Sequence, residues 1–299
     1  MAKIFSHFLY LILCLYGIIY KVKKIIIIFI LVLWVCPFLS KAQEMSEPIN
    51  ILIVPGHDNQ VWGSQYGNIK EADMNQVLAT QIYDLLKKDK KFKVWITRDN
   101  FKYTKEFADY FLKNKKDIIA FKKSARKETQ NKLDSGALIN KSGGVSHNSV
   151  NAETSVKLYG INKWANENKI DAIINIHFND YPRATKWSIG KYKGFVIYMP
   201  DKQMANAIES SNLAKSIFSQ LSKKYNTSTY VKEKGGLITD QELISLGASG
   251  TLNKEVNSVL IEYGYIYQKI FRDSATRYQA YKDMASLTAR GIADYYFKE

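Results

Sequence analysis

The chain has 299 residues, of which 46% are hydrophobic and 24% charged, with 5 prolines and 16 glycines. This composition excludes a disordered or collagen-like chain, and the length allows one or two domains with a substantial core. Lysine and arginine number 43 against 28 acidic residues, a formal charge of +15. Five of these lysines and no acidic residue lie in residues 1–42, so the remainder carries +10. Such a charge suits an anionic polymer or surface as partner.

Both cysteines, Cys14 and Cys36, precede Ala42. Residues 43–299 therefore cannot contain a disulfide, a cysteine-ligated zinc ion or a cysteine nucleophile. Any chemistry in this part of the chain must use histidine, acidic residues and hydroxyl groups.

The N-terminal 42 residues resemble a targeting segment. The run 25–39 is entirely apolar, follows three lysines and precedes Ser40-Lys41-Ala42, which predicts a signal peptide over 21–42 cleaved after Ala42. An uncleaved membrane anchor is the alternative, although this run makes about 22 Å of helix, short of the roughly 30 Å hydrocarbon core. The earlier apolar stretch 4–20 is either a first span or an upstream extension of the true translation start. In each case we expect the remaining residues to be exported from the cytoplasm.

After a short linker at 43–48, the apolar run at 49–54 predicts a strand buried on both faces. Helices and strands then alternate: a helix from about 69, a strand at 93–98, a helix at 152–168, strands at 171–176 and 194–199, a helix at 208–221, a strand at 258–261 and a final helix. This alternation predicts an α/β fold, a single layered domain over 49–299 with a central, mostly parallel mixed sheet flanked by helices.

The segment 101–150 differs from the rest of the domain in composition. It contains 11 basic and 5 acidic residues, a net charge of +6, and its apolar residues recur at helical spacing. We interpret it as a basic helical insert. It is either a lid over the site, an attachment to anionic wall polymers or to a membrane surface, or a solvated hairpin without a further role.

Polar, ionisable residues follow three of the predicted strands. His57 comes after the first strand, His177 after the strand at 171–176, and Glu262 after the strand at 258–261. Because parallel strands of an open α/β sheet place their carboxyl ends at one edge, these side chains are expected to converge. Two imidazoles and a carboxylate with an open fourth position make a catalytic zinc site.

Glu71 is the candidate carboxylate ligand, because it lies in the first turn of the second predicted element and three residues before the inward-facing Met74. The alternative is structural: Asn68 and Glu71 also have the spacing of a capping box.

The order of these motifs resembles the zinc-dependent N-acetylmuramoyl-L-alanine amidases of the type-3 class. The chain contains Val54-Pro-Gly-His57-Asp58, Glu71, Thr97-Arg98, Asn175-Ile-His177-Phe-Asn179 and Leu260-Ile-Glu262-Tyr-Gly-Tyr265 in the family's order. It departs from the family pattern at Val54, Asp58 and Asn175, which replace Asp, Gly and Ser. The first two replacements lie close to His57 in sequence. They affect the groups that could accept a hydrogen bond from its second ring nitrogen and so orient the ring.

The resemblance implies that His57, Glu71 and His177 bind one Zn²⁺ per chain and that Glu262 is the general base. It further implies that Asn179 orients substrate or a ligand, and that the substrate is the bond between N-acetylmuramoyl residues and L-alanine in peptidoglycan. A zinc peptidase of peptidoglycan stem peptides and a non-catalytic wall-binding or regulatory relative are the alternatives. Export and the lack of a basic-aromatic motif argue against nucleic acid as a partner.

Overall fold

The computed structural model describes residues 15–17, 19–23, 47–141, 144–147 and 149–298. The first two of these ranges are helical. The apolar run 25–39 of the predicted signal region lies outside the described residues, as does most of the stretch 4–20. Among the residues that are described, no helix has the length and apolarity needed to cross a membrane.

The described residues form ten strands, of which six build the central sheet. Their bounds are β1 (Ile49–Pro55), β2 (Gln65–Tyr66), β3 (Ile69–Lys70), β4 (Phe92–Ile96), β5 (Arg98–Asp99), β6 (Lys102–Tyr103), β7 (Ala172–Asn179), β8 (Val196–Pro200), β9 (Leu237–Asp240) and β10 (Asn257–Tyr265). The sheet order is β4-β1-β7-β10-β8-β9, in which the first four strands are parallel and β8 and β9 run in the opposite direction. The predicted mostly parallel mixed sheet is confirmed.

Helices cover both faces of this sheet. They are α1 (Glu71–Lys87), α2 (Lys105–Lys113), α3 (Lys115–Asp134), α4 (Ala152–Glu167), α5 (Ala207–Leu221), α6 (Lys269–Arg272) and α7 (Ser274–Phe297). Helices α1, α5 and α7 share one hydrophobic core with one face of the sheet, and α4 packs on the other face.

Strand β1 shows how the sequence produces this layering. Ile51 and Ile53 belong to the core shared with α1, α5 and α7, whereas Leu52 and Val54 pack with Trp164 on the α4 side. Because successive side chains of a strand point to opposite faces, an uninterrupted apolar run is buried on both sides. Burial of each large aliphatic side chain stabilises the fold by about 1.5–3 kcal/mol.

Residues 48–299 form one compact unit, and the hydrophobic clusters of the described chain lie within it. This unit therefore contains the core it needs to fold without residues 1–47.

The segment 101–150 contains α2 and α3, which form a further layer outside α4. Phe111 and Ile118 pack near Tyr159 of α4, and Gly160 allows the close approach, since a Cβ there would lie 3.0 Å from Phe111. After α3 the chain returns along β8 and β9. The His147 Nε2 atom lies 2.7 Å from Asp240 Oδ2 in this return segment.

Candidate metal centre

Three predicted ligand residues meet at the carboxyl edge of the sheet. His57 follows β1, Glu71 is the first residue of α1, and His177 is the third-last residue of β7. One ligand atom from each lies within 4.8 Å of the others. His57 Nε2 is 3.3 Å from Glu71 Oε2, and His177 Nδ1 is 3.0 Å from Glu71 Oε1. The structure thus brings together the residues that the sequence analysis selected.

The turn before His57 fits only a glycine. A Cβ at Gly56 would lie 2.1 Å from the Nε2 atom of His177. His57 itself has a φ of 60°, in the left-handed region that few non-glycine residues adopt. Strain of this kind is typical of residues whose position serves a site rather than the fold.

Glu71 is held by the backbone as well as by the histidines. Its Oε2 accepts a hydrogen bond from the Ser64 N–H at 2.8 Å, and its Oε1 accepts one from the Phe178 N–H at 3.3 Å. Because α1 begins at Glu71, and the preceding Lys70 makes no side-chain capping bond, the capping box with Asn68 does not form. Glu71 instead directs both carboxylate oxygens toward the site.

Two side chains that the sequence analysis left without a role support the His57 turn. Arg98, only 1% exposed, donates to the carbonyl oxygens of Pro55, Gly56 and Ala72. Asn75 donates to the same Gly56 carbonyl at 2.9 Å. The Thr97-Arg98 motif was the only sequence signal for Arg98, and Asn75 had none. Asp58 accepts hydrogen bonds from two backbone N–H groups of its own loop and from the Lys157 ammonium group, and these bonds stabilise the loop.

We expect Arg98→Lys to lower the free energy of unfolding by about 2–4 kcal/mol, because one ammonium group cannot reach all three carbonyls and leaves buried acceptors unpaired. Urea unfolding measures this change. Arg126→Lys on the exposed surface of α3 is the matched control and should change stability by less than about 0.5 kcal/mol. Equal effects of both variants would contradict this role of Arg98.

A second glycine, Gly63, lies against the site with a φ of +70°. A Cβ there would be 2.4 Å from Glu71 Oε2 and 2.5 Å from the His57 ring. Gly136 has a φ of +72° and no atom within 4 Å of its own Cβ position. A substitution at Gly136 therefore tests the cost of the left-handed backbone without any new side-chain contact.

Gly63→Ala and Gly136→Ala should each lose about 1–2 kcal/mol of stability from the left-handed backbone. Only Gly63→Ala should also weaken zinc binding, by about 10- to 100-fold, because its Cβ would displace two of the candidate ligands, His57 and Glu71. Competition with a chelating dye measures this affinity. Equal zinc affinities in the two variants would show that Gly63 does not shape the site.

Glu262 lies beside this cluster on the neighbouring strand. In the parallel pairing of β10 with β7 it is the register partner of His177. Its Oε2 atom is buried and has no hydrogen-bond partner among the described residues. Burial, followed by the Glu71 and Glu233 carboxylates, raises the pKa of Glu262 well above its usual value. A carboxyl group with a raised pKa can both accept and return a proton near neutral pH.

The pKa shifts of Glu71 and His177 favour the forms that bind a metal, whereas that of His57 does not. Burial alone raises the pKa of Glu71, but the two histidines outweigh it and lower this pKa well below the usual range. Burial lowers the pKa of His177. At His57 burial also lowers the pKa, yet the Glu71 carboxylate reverses the effect and the net shift is upward. Ligands bind a metal as carboxylate and neutral imidazole, so a proton competes mainly at His57.

Asn179, predicted to orient substrate or a ligand, lies at the end of β7 and uses its side chain within the protein. Its Nδ2 donates to Glu233 Oε1 at 2.8 Å, and its Oδ1 accepts from the Asp180 N–H. Glu233 is buried and also accepts from the hydroxyl groups of Tyr198 and Tyr265. No sequence pattern had selected Glu233. Direct contact between Asn179 and a substrate stays a prediction.

The donor set fits a zinc ion. Two ligands bonded to one zinc ion at about 2.0–2.1 Å lie at most about 4.2 Å apart. His57 is 3.3 Å from one Glu71 carboxylate oxygen and His177 is 3.0 Å from the other, so both separations are within this limit. Two imidazole nitrogens and one carboxylate leave the fourth position open, as in catalytic rather than structural zinc sites.

The fold of this chain is similar to that of solved amidase structures. Among solved structures, an N-acetylmuramoyl-L-alanine amidase from Clostridium difficile 630 has a TM-score of 0.51 at 16% identity, covering 85% of this chain and 100% of its own. Ami1 from Mycobacterium smegmatis has a TM-score of 0.52 at 15% identity, covering 83% of this chain and 97% of its own. At these identities the likeness establishes the fold alone. No curated protein sequence matches the chain significantly.

The family follows from the sequence itself. The profile of the Amidase_3 family, described as N-acetylmuramoyl-L-alanine amidase, matches residues 51–294. This match spans most of the chain and includes every residue of the cluster at the sheet edge. The chain therefore belongs to the N-acetylmuramoyl-L-alanine amidase family.

Proposed function

We propose that this chain cleaves the amide bond between N-acetylmuramoyl residues and L-alanine in bacterial peptidoglycan, with one zinc ion held by His57, Glu71 and His177. The observation that carries the proposal is the arrangement at the sheet edge. Three zinc-type donors converge there, and Glu262, with an unpartnered carboxylate oxygen, stands in register with one of them.

Each residue has a separate task in this reaction. His57, Glu71 and His177 would hold a zinc ion, and the bound ion would supply polarisation of the amide carbonyl and a lowered pKa, about 7, for a bound water molecule. Glu262 accepts the proton of the attacking water at its free Oε2 atom and donates it to the leaving amine of L-alanine. General acid–base catalysis of this kind contributes roughly 10²- to 10⁴-fold. Arg98 and Asn75 keep His57 in place through the Gly56 carbonyl.

We propose an extracytoplasmic location for this activity, in the cell wall, the periplasm or attached to the membrane. Peptidoglycan lies outside the cytoplasmic membrane, and the lysine cluster at 21–24 followed by the apolar run 25–39 has the composition of an export signal or anchor.

Two other functions compete with this proposal. A zinc peptidase of the stem peptides would use the same ligands and the same general base. A non-catalytic wall-binding relative would not need Glu262, and the presence of this residue in register with His177 favours an enzyme.

Digestion of purified muropeptides followed by mass spectrometry separates the three functions. An amidase releases glycan without peptide together with the intact stem peptide. Shortened stem peptides still attached to glycan would identify a peptidase and overturn the proposed bond. Binding to sacculi without any product from zinc-loaded protein would indicate the non-catalytic relative.

A further inference from the structure

The outer surface of helix α3 concentrates unpaired positive charge. At about 100° per residue, one arc of about 120° on this helix contains seven residues before its last turn: Lys115, Lys116, Ile119, Lys123, Arg126, Lys127 and Gln130. All seven are exposed. None of the five cations forms a salt bridge with a carboxylate in the described part of the chain. By contrast, Lys105, Lys113 and Lys132 pair with acids of their own helix.

The acidic residues of α3 leave this arc basic. Asp117 and Glu128 lie outside it, and Glu128 is paired with Lys132. Asp134, the last residue of the helix, is the one acidic residue inside the arc, and it accepts a hydrogen bond from Gln130. The opposite side of α3 is fixed, because Ile118 and Ala125 pack near Tyr159 of α4. The basic arc is therefore held facing outward on a rigid layer.

Two large apolar side chains are exposed in this part of the chain, one inside the arc and one three residues before Lys115. Ile119 lies inside the arc and is 44% exposed, and Leu112, at the end of α2, is 78% exposed. An anionic polymer would attract the lysines and the arginine but gives no reason for apolar groups among them. A lipid bilayer accounts for both, since headgroups attract cations and the boundary with the acyl chains accepts exposed leucine and isoleucine.

We propose that this basic apolar surface, formed by Leu112, Ile119, Lys115, Lys116, Lys123, Arg126 and Lys127, binds a membrane surface rich in anionic phospholipid. Each basic residue near such a surface contributes about fivefold to partitioning, and the attraction weakens as salt is added. The surface lies outside the candidate metal centre, so this proposal does not depend on the reaction.

Vesicle sedimentation with residues 43–299 tests the proposal. We expect binding to phosphatidylcholine vesicles only when phosphatidylglycerol is added, and a decrease at high salt. The triple variant Lys116→Glu, Lys123→Glu, Lys127→Glu should bind at least about 100-fold more weakly. The matched control Lys88→Glu, Lys90→Glu, Lys215→Glu carries the same change in charge at exposed positions outside the insert and should bind far better than the first variant. Thermal unfolding checks that both variants are folded.

A second pair of variants distinguishes a membrane from a wall polymer. Leu112→Ser with Ile119→Ser leaves the charge unchanged and should weaken vesicle binding about tenfold or more. The same double variant should leave any binding to purified polyglycerol-phosphate wall polymer unchanged. The proposal would be overturned if both lysine variants lost vesicle binding to the same extent. It would also be overturned if the changes at Leu112 and Ile119 left vesicle binding unaffected. Binding to the polymer without binding to vesicles would assign the surface to the cell wall instead.

Discussion

Glu262→Gln should reduce turnover of muropeptides by about 10²- to 10⁴-fold while the protein keeps its fold and its zinc. The amide has the shape of the carboxyl group but cannot accept the proton of the attacking water. The substitution therefore places no new charge or volume in the site. Steady-state kinetics, zinc content and urea unfolding together measure the effect.

Glu255→Gln is the matched control, since Glu255 is exposed and lies outside the site. It should leave turnover, zinc content and stability unchanged. Loss of zinc from Glu262→Gln would show that Glu262 is a ligand and that the roles of the two glutamates must be exchanged. Full activity of Glu262→Gln would remove it from the reaction altogether.

The sheet could be predicted because its strands carry strong local signals. The run at 49–54 is apolar on both faces, and the observed β1 differs from it only by Pro55. Strand β10 was predicted at 258–261 but continues to Tyr265. The polar Glu262 and the Gly264 with φ of +149° interrupt the apolar pattern there, although the backbone pairing continues through a bulge.

The sequence pattern did not predict the two-residue strands. The first helix was expected from about 69 but begins at Glu71, because Ile69–Lys70 pairs with Gln65–Tyr66 as a two-stranded hairpin. The strand expected at 93–98 ends at Ile96, and Arg98–Asp99 pairs with Lys102–Tyr103 instead. Strands of two residues have no periodicity to detect, so only the tertiary structure reveals them.

The main residues of the candidate site were predictable, but the residues that support them were not. His57, His177 and Glu262 each follow an apolar run, and parallel strands bring such positions to one edge. Asn75 and Glu233 lack any comparable local signal, since each gains its partners from segments distant in sequence. Gly63 is necessary only because the Glu71 carboxylate and the His57 ring approach it.

His177→Ala should abolish zinc binding, because it removes one of the three proposed ligands and leaves only His57 and Glu71. Metal analysis after dialysis should find about one zinc ion per chain in the original protein and almost none in the variant. Zinc should raise the thermal unfolding temperature of the original protein, because the ion binds the native state, and this rise should disappear in the variant.

His147→Ala is the matched control for the loss of an imidazole. His147 is the remaining histidine of residues 43–299, and it pairs with Asp240 on β9 rather than with Glu71. We therefore expect His147→Ala to retain about one zinc ion per chain and the thermal shift that zinc produces. Zinc retained at one ion per chain in a His57→Ala, His177→Ala double variant would contradict the assignment of the site. The metal would then have to be bound by residues outside this cluster.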